Sequence, residues 1–179
     1  MEKIVVSVTL DGQLFRNFAT FDVLKRTGKQ KRMLRIVSFA LAAAVVLLAL
    51  GFLRDWETAR TWGFALVAIG SVMPLIYMGM FKRSLRYQIS RNDLVRGRYV
   101  YTIVFDERDG VIVQDTKERL SYTWRSIFFA YRADDAIYLY AEQKQAYILP
   151  NNQIEEGADA LWDLFTQMID EEKLEDIRN

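Results

Sequence analysis

Hydrophobic and polar positions change period several times along the chain. Ile4, Val6 and Val8 fall at every second position with Val5, Ser7 and Thr9 between them, the period of a strand. Leu14, Phe18 and Phe21 then recur at helical spacing. Two stretches lose their polar positions altogether. Residues 36–53 (18 residues) and 61–81 (21 residues) contain no Asp, Glu, Lys or Arg. As helices rising about 1.5 Å per residue they reach about 27 and 32 Å, against a hydrocarbon core about 30 Å thick. The pattern therefore predicts two membrane spans and leaves room for one modest soluble domain.

After the second span, 82–96 is rich in long side chains and free of Pro, which predicts that the helix runs on. From Tyr99 the period drops to two. Tyr99, Tyr101, Ile103 and Phe105 alternate up to the turn signal Asp109-Gly110. Val111 to Val113 reads as the next strand and Lys117-Glu118 as the next turn. Leu120, Tyr122 and Trp124 alternate again, and Ile127 to Tyr131 is apolar and aromatic. Asp134-Asp135 precedes Ile137-Tyr138-Leu139-Tyr140, and Gln143-Lys144 precedes Ala146-Tyr147-Ile148-Leu149, stopped by Pro150. The expectation is a meander of about six short strands. Ile154, Ala158, Leu161, Phe165 and Met168 then mark a helix whose apolar face covers an open end of it. Its acidic face carries Glu155, Asp159 and Asp163. That row could hold a divalent cation but reads far better as a solvated face. The acidic run 170–176 reads as a fraying tail. The strand and helix at the N-terminal side are expected to return to the same sheet.

Charge sets an orientation. Lys25, Arg26, Lys29, Lys31, Arg32 and Arg35 precede the first span, and Lys82, Arg83, Arg86 and Arg91 follow the second. The seven residues between the spans, 54–60, are balanced and can only join antiparallel neighbours. Basic flanks stay cytoplasmic, so both termini are expected inside an integral cell-membrane protein with two spans. The basic belt reads first as a topology signal, and recruitment of anionic lipid is the sharper alternative. Trp56 and Trp62 sit near span ends as interfacial anchors do. The spans carry no Asp, Glu, Lys, Arg or His, which argues against proton relay or ion conduction. Pro74 predicts a kink in the second span. Ser38, Ala40, Ala42 and Ala44 place small residues at four-residue spacing, which predicts close helix contact within the hairpin or with a second copy, and hence a homodimer.

Composition narrows the chemistry. The chain has no His and no Cys, which excludes disulfides, Cys/His zinc sites and every His-dependent triad. Its nine glycines are too dispersed for a phosphate-cradling loop. No catalytic residue, metal or cofactor is expected, and no nucleic-acid partner.

The order of elements resembles the bacterial YcxB-like membrane proteins. The resemblance rests on Tyr101-Thr102-Ile103-Val104-Phe105 with Asp109-Gly110-Val111, on Tyr122-Thr123-Trp124-Arg125-Ser126-Ile127, on Ile137-Tyr138-Leu139-Tyr140, and on Tyr147-Ile148-Leu149-Pro150-Asn151. It implies an α+β membrane protein, a two-helix transmembrane hairpin plus a small antiparallel domain of pleckstrin-homology-like (PH-like) shape capped by a C-terminal helix. The sheet it implies has seven strands and is partly closed. The expected division is an N-terminal strand and amphipathic segment (1–32), the hairpin (33–81) and a cytoplasmic PH-like domain (82–179). Phosphoinositide-binding domains of this shape use basic residues in the first strand connection. Here that connection is Asp106-Glu107-Arg108-Asp109-Gly110, whose carboxylates repel a phosphate.

The functional expectation is a membrane-anchored, non-catalytic interaction or regulatory protein with a protein partner beside the lipid bilayer. Trp124, Tyr138 and Tyr140 are the candidate contact residues, although core packing suits all three better. The alternative is a membrane-surface sensor or a protective factor against membrane-active agents, supported by the amphipathic segment 14–24 beside the basic belt. A carboxylate-dependent membrane enzyme comes third.

Overall fold

A computed structural model describes residues 3–115 and 118–178, with the backbone alone for Lys29 and Gln30. Two compact units divide the chain, one formed by residues up to Phe18 together with those from Ile89 onward, the other by Ala19–Gln88.

The first unit is an α+β domain of two four-stranded sheets. β1 (Ile4–Leu10), β2 (Arg98–Asp106), β3 (Gly110–Asp115) and β4 (Arg119–Tyr122) form one sheet in that order. The second contains β5 (Phe129–Arg132), β6 (Ala136–Glu142), β7 (Gln145–Pro150) and β8 (Leu174–Asp176), in the order β7-β6-β5-β8. β1 shows why the chain folds this way. Ile4, Val6, Val8 and Leu10 are buried while Val5, Ser7 and Thr9 face out. A one-residue slip would expose the whole apolar set. Ile4 pairs with Phe105 and Val8 with Tyr101, with a bulge before Thr9. The segment expected to return to the sheet does so.

Between β2 and β3 the chain reverses on its own chemistry. The Asp106 carboxylate accepts the backbone N–H groups of Arg108 (2.8 Å) and Asp109 (3.2 Å). Gly110 has φ +86°, and a Cβ there would stand 2.3 Å from the Tyr122 carbonyl oxygen. Only glycine meets both demands.

The sheets are joined by tyrosine hydroxyls and by a helix. Tyr101 on β2 reaches β7, where its hydroxyl donates to the Ile148 carbonyl (3.1 Å) and accepts the Ile148 N–H (2.7 Å). Tyr122 on β4 and Tyr147 on β7 share a hydroxyl contact of 3.1 Å. α4 (Ala158–Met168) buries Leu161, Leu164 and Phe165. Phe165 packs edge-on to both Phe105 and Trp124.

Several expectations need correction. The described strands number eight in two sheets, not seven in one, and β5–β8 is a parallel pair within an otherwise antiparallel set. The run 170–176 is no frayed tail. Residues Glu171–Lys173 form a 3₁₀ turn and β8 adds to β5 through its backbone, with the Ile177 N–H on the Arg132 carbonyl at 2.8 Å. α4 starts at Ala158, because Gly157 at φ +91° breaks the helical path. Trp124 sits in a 3₁₀ turn (Trp124–Ser126), not on a strand. At the expected turn Lys117-Glu118, Lys117 lies outside the described residues, although the Asp115 N–H meets the Glu118 carbonyl at 2.9 Å.

The second unit contains two helices long and apolar enough to cross a membrane. They are α2 (Lys29–Leu53) and α3 (Glu57–Arg91), preceded by α1 (Gly12–Thr20), which belongs mostly to the first unit, and a π-helical turn (Phe21–Arg26). α3 runs past the apolar stretch to Arg91, as its long side chains predict. It also starts at Glu57, so the connection is three residues, not seven, with Asp55 at φ +49°. Ala44 and Ala59 are buried. The small-residue row splits, however. Four-residue spacing pairs Ala40 with Ala44 and Ser38 with Ala42, on different faces. Ser38 and Ala42 remain exposed.

Candidate functional site

The sequence-predicted residues fall into two groups, one in each unit. Lys25 and Arg26 lie on the π-helical turn, where Arg26 is held by Asp22 at 2.6 Å. Lys31, Arg32 and Arg35 are exposed on α2, and Lys82 and Arg83 on α3. Trp56, between the helices, and Trp62, on α3, are both exposed. Lys29 has a described backbone only, and its side chain lies outside the described residues.

Trp124, Tyr138 and Tyr140 belong to the other unit, and all three are buried. Trp124 stacks on Phe105 and donates its indole N–H to the Asp106 carbonyl at 2.9 Å. Tyr138 and Tyr140 pack against Phe18 of α1. Their rings serve the core. The Tyr138 hydroxyl donates to an Asp135 carboxylate oxygen at 3.4 Å. Burial, and then the Asp135 charge, push its pKa up, so it is a neutral donor at physiological pH.

Asp135 also lines a groove on the β domain that pattern reading did not find. Asp11, an N-cap, accepts the N–H groups of Gln13 and Leu14, both at 2.8 Å, and starts α1. Opposite it, Asp135 accepts the Asn17 amide at 2.7 Å. Asn151 donates to the Asp134 carbonyl at 3.0 Å, while its own Oδ1 is buried without a partner. These residues, with Gln13, Leu14, Asp134 and Asn152, line a concavity of about 350 Å³. Asn152 also borders a second one, of about 420 Å³, lined by Val5, Ser7, Gln153, Ile154 and Glu155. Gln153 fixes the junction by clasping the β1 bulge. Its Oε1 accepts the Thr9 N–H (2.7 Å) and its amide donates to the Thr9 carbonyl (2.8 Å).

Among the described residues the groove is lined by Asp11, Asp134, Asp135 and Glu155 and by no Lys or Arg. Its field favours a cationic or amide-rich segment and disfavours a phosphate. The signals that could have found it are turn residues, Asp134-Asp135 and Asn151-Asn152, which read locally as chain reversals.

The expected acidic row on the last helix does not assemble. Glu155 precedes α4, and Asp159 is paired with Arg132, whose guanidinium lies over the Trp162 ring at 5.8 Å. Among the described residues no group of three or more carboxylates is placed to hold a metal ion.

The strands from β3 to β7 and the helix that covers them are the part of this domain comparable with known proteins. Residues 107–169 match the family model for YcxB-like protein. The YcxB-like stretch thus contains the Asp134–Asp135 and Asn151–Asn152 sides of the groove, and leaves β1, α1 and both apolar helices outside it. No curated protein and no solved structure matches the chain.

Proposed function

We propose that the chain is a membrane-anchored, non-catalytic interaction protein that presents a PH-like β domain to the cytoplasm. One observation carries the reading. β1, before the two apolar helices, pairs with β2, which follows them. Strands of one sheet occupy one compartment, so any apolar helices that enter the bilayer between Leu10 and Arg98 must cross it an even number of times. Two antiparallel spans satisfy this. The basic flanks at Lys31, Arg32, Arg35, Lys82 and Arg83 favour the cytoplasmic side for that compartment. Two sheets and a C-terminal helix, with β1–β4 facing β5–β7, support the PH-like description.

The groove along Asp11, Asp134, Asp135 and Glu155 is the surface a protein partner would meet, through a basic or amide-rich segment. The amphipathic segment 14–24 has less apolar surface to offer a bilayer, because Phe18 is packed on Tyr138 and Tyr140. This places the interaction reading ahead of the membrane-sensor reading.

The test is site-specific photocrosslinking of the full chain in intact cells. A photoreactive residue at Asn152 should give a discrete adduct that weakens when Asp134 and Asp135 are replaced by Lys. The same residue at Lys144, in the β6–β7 turn, should not. Adducts at neither position, or equal adducts at both, would overturn the groove as the contact surface.

A further inference from the structure

The two apolar helices touch closely at one end and part at the other. A Cβ on Gly51 would lie 2.8 Å from the Arg60 backbone nitrogen, and one on Gly63 2.6 Å from the Leu48 side chain. Further from the connection, a Cβ on Gly70 would stand 3.4 Å from Leu41. Beyond that level the helices enclose a wedge of about 380 Å³. Ile36, Val37 and Ala40 on α2 face Gly70, Met73 and Pro74 on α3. Pro74 carries no N–H, which leaves the Gly70 carbonyl without its helical donor and loosens α3 at this point.

The walls are apolar, and one charged residue, Arg32, borders the wedge. Its guanidinium makes no ion pair or hydrogen bond with the described residues, and it lies at the end where the chain enters the hairpin. An apolar slot with an unpaired guanidinium at its rim has the polarity profile of a lipid, a hydrocarbon chain below and an anion above. A second copy of the hairpin is the competing occupant, and the dimer outcome of the test below separates the two. Guanidinium binds phosphate oxygens through two parallel donors.

We infer that the wedge seats one acyl chain of an anionic glycerophospholipid from the surrounding bilayer, with the lipid phosphate on Arg32. The inference rests on the membrane-anchored reading and names a ligand for the anchor itself. The wedge, at about 380 Å³, is within the range of cavities that bind small ligands, about 300–1,000 Å³.

The full chain, purified in detergent, is titrated with phosphatidylglycerol or with phosphatidylcholine of matched acyl chains, and bound lipid is counted by native mass spectrometry. One phosphatidylglycerol per chain is expected, held about tenfold tighter than phosphatidylcholine. Arg32→Gln should remove that preference and leave the weaker binding common to both lipids. Ala40→Phe, which fills the wedge, should abolish both. Val37→Trp blocks the same space from α2 and serves if Ala40→Phe fails to fold, as judged by circular dichroism. Equal binding of the two lipids by the native chain would overturn the inference. So would retention of phosphatidylglycerol by a folded wedge-filling variant, or a lipid-free dimer that Ala40→Phe dissociates. Alkaline carbonate extraction of native membranes separates the two readings. A chain released by carbonate refutes the anchor, whereas a retained chain without lipid preference refutes only the wedge site.

Discussion

Replacing Tyr101 by Phe removes one oxygen atom and should weaken the β domain far more than its size suggests. β7 is an edge strand of its sheet, and its Ile148 presents both backbone groups away from β6. The Tyr101 hydroxyl satisfies both, at 3.1 and 2.7 Å, inside a buried region. The ring and its edge-on contact with Tyr147, centroids 5.3 Å apart, survive the substitution. What remains is an N–H and a C=O without partners. A buried polar group left unsatisfied costs about 1–3 kcal/mol. Some relaxation of the edge brings the two together to about 2 kcal/mol. For a domain of this size that is a Tm lower by roughly 8–16 °C. The assay is thermal unfolding of the full chain in detergent, followed by near-ultraviolet circular dichroism. Tyr99→Phe is the control, since Tyr99 is exposed and bonds only the Thr102 hydroxyl at 3.0 Å. It should shift Tm by less than about 2 °C. If Tyr101→Phe moves Tm no more than Tyr99→Phe does, the hydroxyl is not what closes the β7 edge.

Gly110→Ala should destabilise the domain by about 3 kcal/mol or more, since it combines a positive φ with a steric overlap on the Tyr122 carbonyl; chemical denaturation measures it, and a loss under about 1 kcal/mol would contradict the turn geometry. Backbone N–H donors, first that of Arg108, together with Lys3 at 3.0 Å hold the Asp106 carboxyl at a pKa of about 2, below its ordinary 3.8. A lowered folded pKa gives stability that is complete above about pH 4 and lost as the pH falls toward 2. Asp106→Asn should therefore flatten the stability profile between pH 4 and 2, and an unchanged slope would refute the assignment. The chain has no native cysteine, so single introduced ones report cleanly. Thr58→Cys should react with a membrane-impermeant maleimide in intact cells and Ser121→Cys only after lysis; the reverse pattern would invert the topology.

Features made by periodicity were legible in the sequence. Ile4, Val6, Val8 and Leu10 announce a strand buried on one face, and the charge-free stretches announce long helices. Features made by the backbone were not. In β8 only Leu174 is apolar, and the strand contributes main-chain hydrogen bonds to β5 rather than side chains to the core, so its carboxylates dominate the pattern. Trp124 continues the alternation of Leu120 and Tyr122, yet its ring has to reach Phe105 and Phe165, and a 3₁₀ turn puts it there. Glu155 matches the helical spacing of Asp159, but Gly157 intervenes. The groove escaped because Asp11, Asp135 and Asn152 come from three separate segments that only the fold brings together. The wedge did leave a trace. Met33, Ile36, Val37 and Ala40 on α2 have the same spacing as Gly70, Met73, Pro74 and Tyr77 on α3, the signature of two facing helix surfaces.

The pairing of Ile4 with Phe105 also has a kinetic meaning. About a hundred residues separate the partners, so this is a contact of high order, and the loop that closes it contains both apolar helices. Until β2 has been synthesised, β1 has no strand to join, and Val6 and Val8 wait uncovered. If only one helix inserted, the two strands would be stranded on opposite faces of the bilayer and the sheet could never close. Under the membrane-anchored reading, closure of the first sheet would exclude a hairpin with only one of its two helices inserted. A chain that fails at that step leaves β1 unpaired, with a strand edge open to pairing with another chain.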